Sequence, residues 1–397
     1  MVSNGSKLYM LGLPQPISQD FGKKTAMAGI LPHELILEIL SWLPVTSLMR
    51  FRCVSKTWKF LISDDPYLVK LHMERSSRNP QILLMARQRY KSQCFMARLG
   101  SLPCLIQNPA PSSCGRILRC PKPYKYVFGS CNGLLSLHHS LSTNECEEHW
   151  VCFWNPATKI CSRPSPSLRL NYGMGVQYDI NFGFGYDDRR DSYKVVAMVL
   201  DSSTQRTSVW VYCMGDVCWR RTIMTSPAFL TFDSNGYSLN GTVNWIGYSF
   251  EESKFEELQI FLYDLKNDSC RYLSVPETEA SEFTSMGVLN GCLCVSFDER
   301  RTVFVVLTLK DVGDERSWSR LVSVSYETLN ISPYYDYLQT LCMWGDLLFL
   351  AYSEIGAYNI IIFNLKENKV ERTEGYYKKV FSLIFSCHYA PSLILPI

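Results

Sequence analysis

The stretch LPHELILEILSWLPVTSLMRFRCVSKTWKFLI (31–62) decides how this chain divides. Leu35, Ile36, Ile39, Leu40 and Leu43 recur at the spacing of one helical face. Pro32 suits a first turn, where its missing N–H breaks no bond, and Glu34 stands near the positive end of the helix dipole. Pro44 stops the helix because its ring blocks the preceding turn. A second short helix carries Leu48, Phe51, Cys53 and Val54, and Ser55 caps a third that presents Trp58, Leu61 and Ile62. Asp64-Asp65-Pro66 opens a further helix to about Arg75, which Asn79-Pro80 ends.

Helices this short cannot cover Leu31, Ile36, Ile39, Leu43, Leu48, Phe51, Val54, Trp58 and Ile62 among themselves. An apolar surplus of that size marks a partner surface. Residues 1–29 mix Gly, Ser, Pro and Lys without a sustained period and read as a flexible tail.

From residue 81 short apolar or aromatic runs alternate with turns. Asn132-Gly133, Asn240-Gly241 and Asn290-Gly291 are hairpin signals, because both residue types tolerate positive φ. A degenerate repeat runs through CFWNPATKIC (152–161), WVYCMGDVCW (210–219), FLYDLKNDSC (261–270), VVLTLKDVGD (305–314) and IIFNLKENKV (361–370). Anchored on Asn155, Cys213, Asp264, Thr308 and Asn364, its intervals are 58, 51, 44 and 56 residues. Gly133, Gly241, Gly291 and Gly345 repeat in parallel, with one copy missing near 183–198. A period of about 50 residues with several strands per unit is that of a kelch-like β-propeller. Each unit buries its faces only against neighbours, so the units close into a ring. About six blades are expected, within a range of five to seven, with Val380–Leu395 pairing near Gln81–Leu99 to close it. The fold class is therefore α+β multidomain: a tail (1–29), a small all-α module with a connecting helix (30–75), and an all-β propeller (81–397).

Bulk properties agree. The 397 residues suit a small domain and a large one. A hydrophobic content of 47% against 19% charged describes a chain that can bury a core. The 40 basic and 37 acidic residues nearly balance and form no basic stripe, so no nucleic-acid partner is expected. The first 30 residues lack a signal peptide's basic start and apolar core, no apolar run reaches the length of a membrane span, and no membrane partner is expected. The sequons at Asn4, Asn240, Asn267 and Asn330 then read as chance matches. The sixteen cysteines are scattered, without paired CxxC knuckles. They read as buried, reduced thiols, which implies cytoplasm or nucleus.

Chemistry finds little support. His138, His139, His149 and Glu147 are the one cluster to weigh as a metal site, and their spacing fits no standard zinc pattern. Walker A, GxGxxG, GxSxG and HExxH motifs are absent. No metal, cofactor or catalytic residue is expected. The competing reading is a propeller enzyme, a glycosidase or a kelch-type oxidase, whose carboxylates must converge on one pocket. Asp187, Glu251, Glu252 and Asp346 are available, with nothing in their spacing to show convergence. Trp154, Trp210, Trp219, Trp245 and Trp318 read as inter-sheet core, and Asp187–Asp191 as a hairpin turn with solvated charges. The longer loops around 140–150, 166–180, 249–256 and 331–336 are the places for recognition, without individual residues to single out.

Two resemblances add to this. Across Leu31–Ile62 the pattern LPxELxxEILxxLPVxSLxRFRCVSKxWxxLI resembles the F-box of plant F-box proteins. FWNPATK (153–159), NFGFGYDDRRDSYKVVAMV (181–199), SLNGTVNWIGY (238–248) and MGVLNGCLCVSF (286–297) are similar to their F-box-associated, or F-box/kelch-repeat, domain over roughly residues 81–390. The resemblance implies a non-catalytic receptor subunit of an SCF-type (Skp1–cullin–F-box) ubiquitin ligase. Leu31 and Pro32 would start the surface for a Skp1-like adaptor, Ile39, Leu43, Pro44 and Val45 would form its middle, and Leu48, Arg50, Cys53, Val54 and Trp58 would complete it. Through the adaptor come a cullin and a RING protein, and the propeller would recruit an unidentified target protein. A scaffold that binds the adaptor outside any ligase is the remaining alternative.

Overall fold

The computed structural model describes residues 31–76, 81–88, 95–107, 115–124, 126–172, 177–204, 206–222, 228–231, 235–251, 254–276, 281–332, 338–354, 357–377 and 380–396. The expected N-terminal tail and much of the loops 249–256 and 331–336 lie outside these residues or have no described side chains.

Four helices open the described chain: α1 (His33–Ser41), α2 (Val45–Phe51), α3 (Lys56–Asp64) and α4 (Pro66–Ser76). Pro32 and Pro44 stand at the N-caps of α1 and α2. Ser55 Oγ accepts from the Trp58 N–H at 3.1 Å, and Asp65 Oδ1 accepts from the Tyr67 N–H at 2.8 Å, so α3 and α4 start on side chains that satisfy orphan donors. Leu37, Leu40, Val45, Leu48, Leu61, Ile62 and Leu68 form the core of this module, and Leu393 from the far end of the chain joins them.

The strands form six sheets in a ring. The first blade takes β1 (Gln81–Gln88), β2 (Phe95–Ser101) and β3 (Gly115–Leu118). The second holds β4 (Tyr126–Cys131), β5 (Leu134–Ser142), β6 (Cys146–Asn155) and β7 (Ile160–Cys161), with β8 (Leu168–Asn171) also paired to β6. The third holds β9 (Tyr178–Asp187), β10 (Ser192–Asp201), β11 (Arg206–Cys213) and β12 (Arg220–Thr222). In the fourth, β13 (Ala228–Thr231) flanks β14 (Asn235–Leu239), β15 (Thr242–Glu251), β16 (Lys254–Asp264) and β17 (Ser269–Ser274). The fifth runs β18 (Ser281–Leu289), β19 (Cys292–Glu299), β20 (Val303–Leu309) and β21 (Trp318–Ser325). The sixth runs β22 (Gln339–Trp344), β23 (Leu347–Glu354), β24 (Ala357–Asn364) and β25 (Lys369–Tyr377). The last strand, β26 (Val380–Tyr389), returns to the first blade and pairs antiparallel with β1 from Gln81↔Tyr389 onward. Opening the ring would therefore break a sheet, which is how the chain closes it.

The innermost strands β26, β4, β9, β14, β18 and β22 touch in succession around the axis. Blades three and four are further joined by a parallel pair, Gly236↔Gly183. A Cβ on Gly183 would lie 2.7 Å from Trp245, and one on Gly236 would lie 2.5 Å from it, so only glycine lets the two strands meet over that fully buried ring. The repeat anchors now have a common place. Asn155, Cys213, Asp264, Thr308 and Asn364 lie at or beside the end of the third strand of blades two to six. Gly133, Gly241, Gly291 and Gly345 turn the first strand into the second in blades two, four, five and six. In blade three that positive φ falls on Asp191 instead, which is why the glycine copy is missing there. Blade one is assembled from both ends of the propeller and carries no copy.

Two expectations change. Asp187 is not a solvated turn residue: its side chain is fully buried against Lys194. The cysteines are not all thiols. Pairing of β6 with β7 brings Cys152 and Cys161 to a Cα separation of 6.9 Å, and they are joined as a disulfide.

After β26 the chain crosses from ring to helices. Ser76 Oγ donates to Pro391 O at 2.6 Å, and buried Asn155 donates from Nδ2 to Ser392 O at 2.9 Å and Ile394 O at 2.8 Å. The same Asn155 accepts through Oδ1 from the N–H groups of Ala157 and Thr158. The FWNPA motif thus holds both its own turn and the terminal segment that carries Leu393 into the helical core.

Candidate functional site

Helix α1 has two apolar faces. One, with Leu37 and Leu40, is buried in the module's own core. The other starts at Leu31 just before the helix, continues through Leu35 and Ile39, and ends at Trp42; each of the four is about half exposed. A four-, four-, three-residue spacing keeps them on one side of a 3.6-residue helix. Val54 beyond α2 is more exposed still, at 65%. Large apolar groups are normally inside, so a contiguous helical stripe of them left in water is the feature of this module that calls for a partner.

Helix α4 holds α1 in place from behind. Arg75 meets both carboxylate oxygens of Glu38, at 2.5 and 2.6 Å, and stands 4.5 Å over the Trp42 ring. Its hydrogen bond holds the Glu38 carboxyl below the usual range. His72 Nε2 lies 3.0 Å from Leu43 O, and burial lowers its pKa against that bond, so the neutral ring donates to a carbonyl in the turn between α1 and α2.

Of the residues expected on the docking surface, Leu31, Pro32, Ile39, Pro44, Arg50, Cys53 and Val54 are exposed, and Leu43 and Trp58 are partly buried. Val45 and Leu48 are corrected: at 3% and 0% exposure they are core, because α2 is only two turns long and spends them on closing the module. Leu43, Pro44 and Val45 moreover line a cavity of about 610 Å³ at the seam with the propeller, together with Leu118, Pro156 and Tyr389. The middle of the expected surface thus belongs to the domain junction. Trp42 lines the same cavity beneath Arg75, whereas Leu35, absent from the expected surface, is exposed beside Leu31 and Ile39. The 31–35–39 spacing was the signal for it, obscured by the equally apolar Ile36–Leu40–Leu43 series beside it.

The propeller axis holds a cavity of about 110 Å³, lined by residues such as Gly129, Ser130, Gly236, Ser238 and His388 and, among the described residues, by no carboxylate. Of the acids weighed for an enzyme, Asp187 is paired with Lys194, Asp346 lies in the β22–β23 turn, Glu251 ends β15, and Glu252 lies outside the described residues. His138 Nε2 stands 3.0 Å from His149 Nδ1, and His149 Nε2 lies 3.6 Å from Glu147, while His139 turns away to stack on Trp150. Among the described residues no three His, Cys, Asp or Glu side chains are arranged to hold a metal ion, and no described helix is long and apolar enough to cross a membrane.

Comparison with known proteins bears on both parts. Residues 30–70 match the family described as F-box domain, and residues 106–389 that described as F-box associated beta propeller domain. An F-box/kelch-repeat protein of Arabidopsis thaliana is 29% identical over 316 residues, covering 76% of this chain and 82% of its own length. The F-box protein CPR1 of the same plant is 25% identical over 317 residues, covering 74% and 73%. Among solved structures, the Dos1 propeller aligns at 11% identity with a TM-score of 0.38, over 75% of this chain and 70% of that one.

Proposed function

Because this chain belongs to the F-box proteins with an F-box associated beta propeller domain, we propose that it is the substrate-recognition subunit of an SCF-type ubiquitin ligase. The observation that carries the reading is the uncovered Leu31–Leu35–Ile39 stripe on α1, with Val54, Phe60 and Tyr67 also left exposed, on a module whose own core is closed by its helices and by Leu393. A Skp1-like adaptor covers that stripe and brings a cullin and a RING protein. The propeller holds the target protein. The chain takes no part in the bond-making; it raises the effective concentration of target lysines at the ubiquitin-loaded enzyme. Cytoplasm or nucleus is the compartment we propose along with this reading.

The test is co-purification of the full chain with a Skp1-like adaptor, wild type against Leu35→Asp/Ile39→Asp. Charges on that stripe should abolish adaptor capture while the thermal unfolding of the propeller stays in place. Undiminished capture would overturn the reading. Targets are found by proximity labelling with the proteasome blocked, comparing the intact chain with one lacking residues 30–63; ubiquitin transfer to such a target in the reconstituted complex separates a ligase subunit from a scaffold.

A further inference from the structure

We infer that the target's docking element is an extended acidic segment carrying an aromatic or large aliphatic side chain, and that it lies in a groove along the outer edges of blades one and two. This rests on the ligase reading above and names the part of the propeller that serves it.

Two adjoining hollows make the groove, of about 530 Å³ and 430 Å³, and they share Pro121. One wall is a run of rings. His139 stacks on Trp150 at 5.8 Å, and Tyr124 meets His139 edge-on at 6.4 Å. Leu141 at one end and Ile117 at the other are about half exposed, although both are large aliphatics on strands. Ring and aliphatic surface in a concave site is what anchors an interface side chain.

The charges are of one sign. Arg119, Lys122 and Lys159 line the two hollows, and Arg163 lies between the lining residues Ser162 and Pro164. All four are exposed, and none has an ion-pair partner among the described residues. Among the described residues no carboxylate lines either hollow. The nearest acid in register on that face, Glu148, lies directly across the strand pair from Leu141 at the end of the groove, where Arg169 stands opposite it on the next strand. Over a chain whose charges nearly cancel, four unpaired cations around an apolar groove are complementary to an anionic partner, which they steer and orient. Lys159 is also held at φ +64°, a conformation that most of the other non-glycine residues showing it in this chain meet with Asn or Asp.

The shape argues for an extended chain. Strand β3 ends its sheet, in the order β26-β1-β2-β3, so one wall of the groove presents a strand edge at Ile117 and Leu118 that no described strand pairs with. An extended segment satisfies such an edge through its backbone and seats alternate side chains in the groove.

The test is selection of a displayed random 12-residue peptide library on the full chain bound to its Skp1-like adaptor, followed by fluorescence polarisation of the enriched peptides. Net-negative peptides with an aromatic or large aliphatic residue should be enriched. They should bind at least tenfold more weakly to Lys122→Glu/Lys159→Glu and to Leu141→Asp, and more weakly as salt rises. Adaptor capture is measured on the same variants. If it persists while peptide binding is lost, the groove is established; if the adaptor is not captured by wild type, it is the ligase reading that fails. Peptides without charge bias, equal binding by the charge-reversed variant, or no enrichment would each overturn the groove. So would tighter binding of a labelled single-stranded oligonucleotide, dimerisation of wild type but not variant by light scattering, or binding that appears only after residues 1–29 are removed.

Discussion

Lys194 Nζ lies 2.9 Å from Asp187 Oδ2, and neither side chain has any exposure. The same ammonium reaches Asp268 Oδ1 at 2.8 Å and donates to Leu265 O, so a cation from blade three is shared with the β16–β17 turn of blade four. Burial opposes the Asp187 charge, but Lys194 and the N–H groups of Arg190 and Arg189 hold its carboxyl below the usual range. Its contribution is present above about pH 4 and is lost as pH falls through the lowered value. Lys194→Met strands a buried carboxylate and should cost about 3 to 5 kcal/mol, whereas Lys194→Met/Asp187→Leu should recover much of it. Urea unfolding of the two variants measures this; equal losses in both would show that the pair is not the seam between these blades.

Acid should weaken the propeller at a second place. Burial pushes His138 down to about 3, with His149 and His139 adding to it, and burial pushes His149 down to about 4. Both rings are neutral in the folded chain at neutral pH, while unfolded histidine takes up a proton below about 6.5. The unfolded state therefore binds more protons in this window, and stability falls as pH drops from about 6.5 toward 4. The urea midpoint followed from pH 7.5 to 4.5 should decline, with a shallower slope in His138→Gln/His149→Gln. Parallel slopes in wild type and variant would place the acid sensitivity elsewhere.

Buried and exposed members of the helical module should separate cleanly. Leu48→Ala empties a fully buried site and should destabilise the module by about 3 kcal/mol. Ile39→Ala removes a half-exposed side chain and should leave stability within about 0.5 kcal/mol, while weakening adaptor capture by tenfold or more. Chemical denaturation and calorimetric titration with the adaptor read the two effects separately.

The terminal segment should be the strut between ring and helices. Asn155→Ala leaves the buried carbonyl of Ser392 and the partly buried one of Ile394 without their donor and should cost about 2 kcal/mol. Gly133→Val should act alike from another direction, since even a Cβ there would meet Ser392 Oγ at 2.4 Å, at a φ of +78°. Faster trimming by carboxypeptidase is the expected outcome for both. Wild-type trimming rates would show that the segment is held by Leu393 alone.

The sequence by itself determined the division into helical module and propeller. Helix caps, proline stops and Asn-Gly turns act over a few residues, so Ser55, Pro44 and Asn132-Gly133 carry their meaning without the rest of the chain. It also determined the period, because each blade repeats one local pattern; five third-strand anchors were legible, and the sixth was not, since blade one joins residues some 300 apart. Only the tertiary structure decided which apolar residue of the module faces inward. Leu35 and Leu48 are the same residue type on neighbouring helices, and their fates differ because α3, α4 and Leu393 cover one and not the other. The groove along blades one and two was likewise invisible, since its cations come from separate turns and only folding of the two blades side by side brings them together. Local pattern follows from the chemistry of adjacent residues; exposure follows from what distant residues leave uncovered.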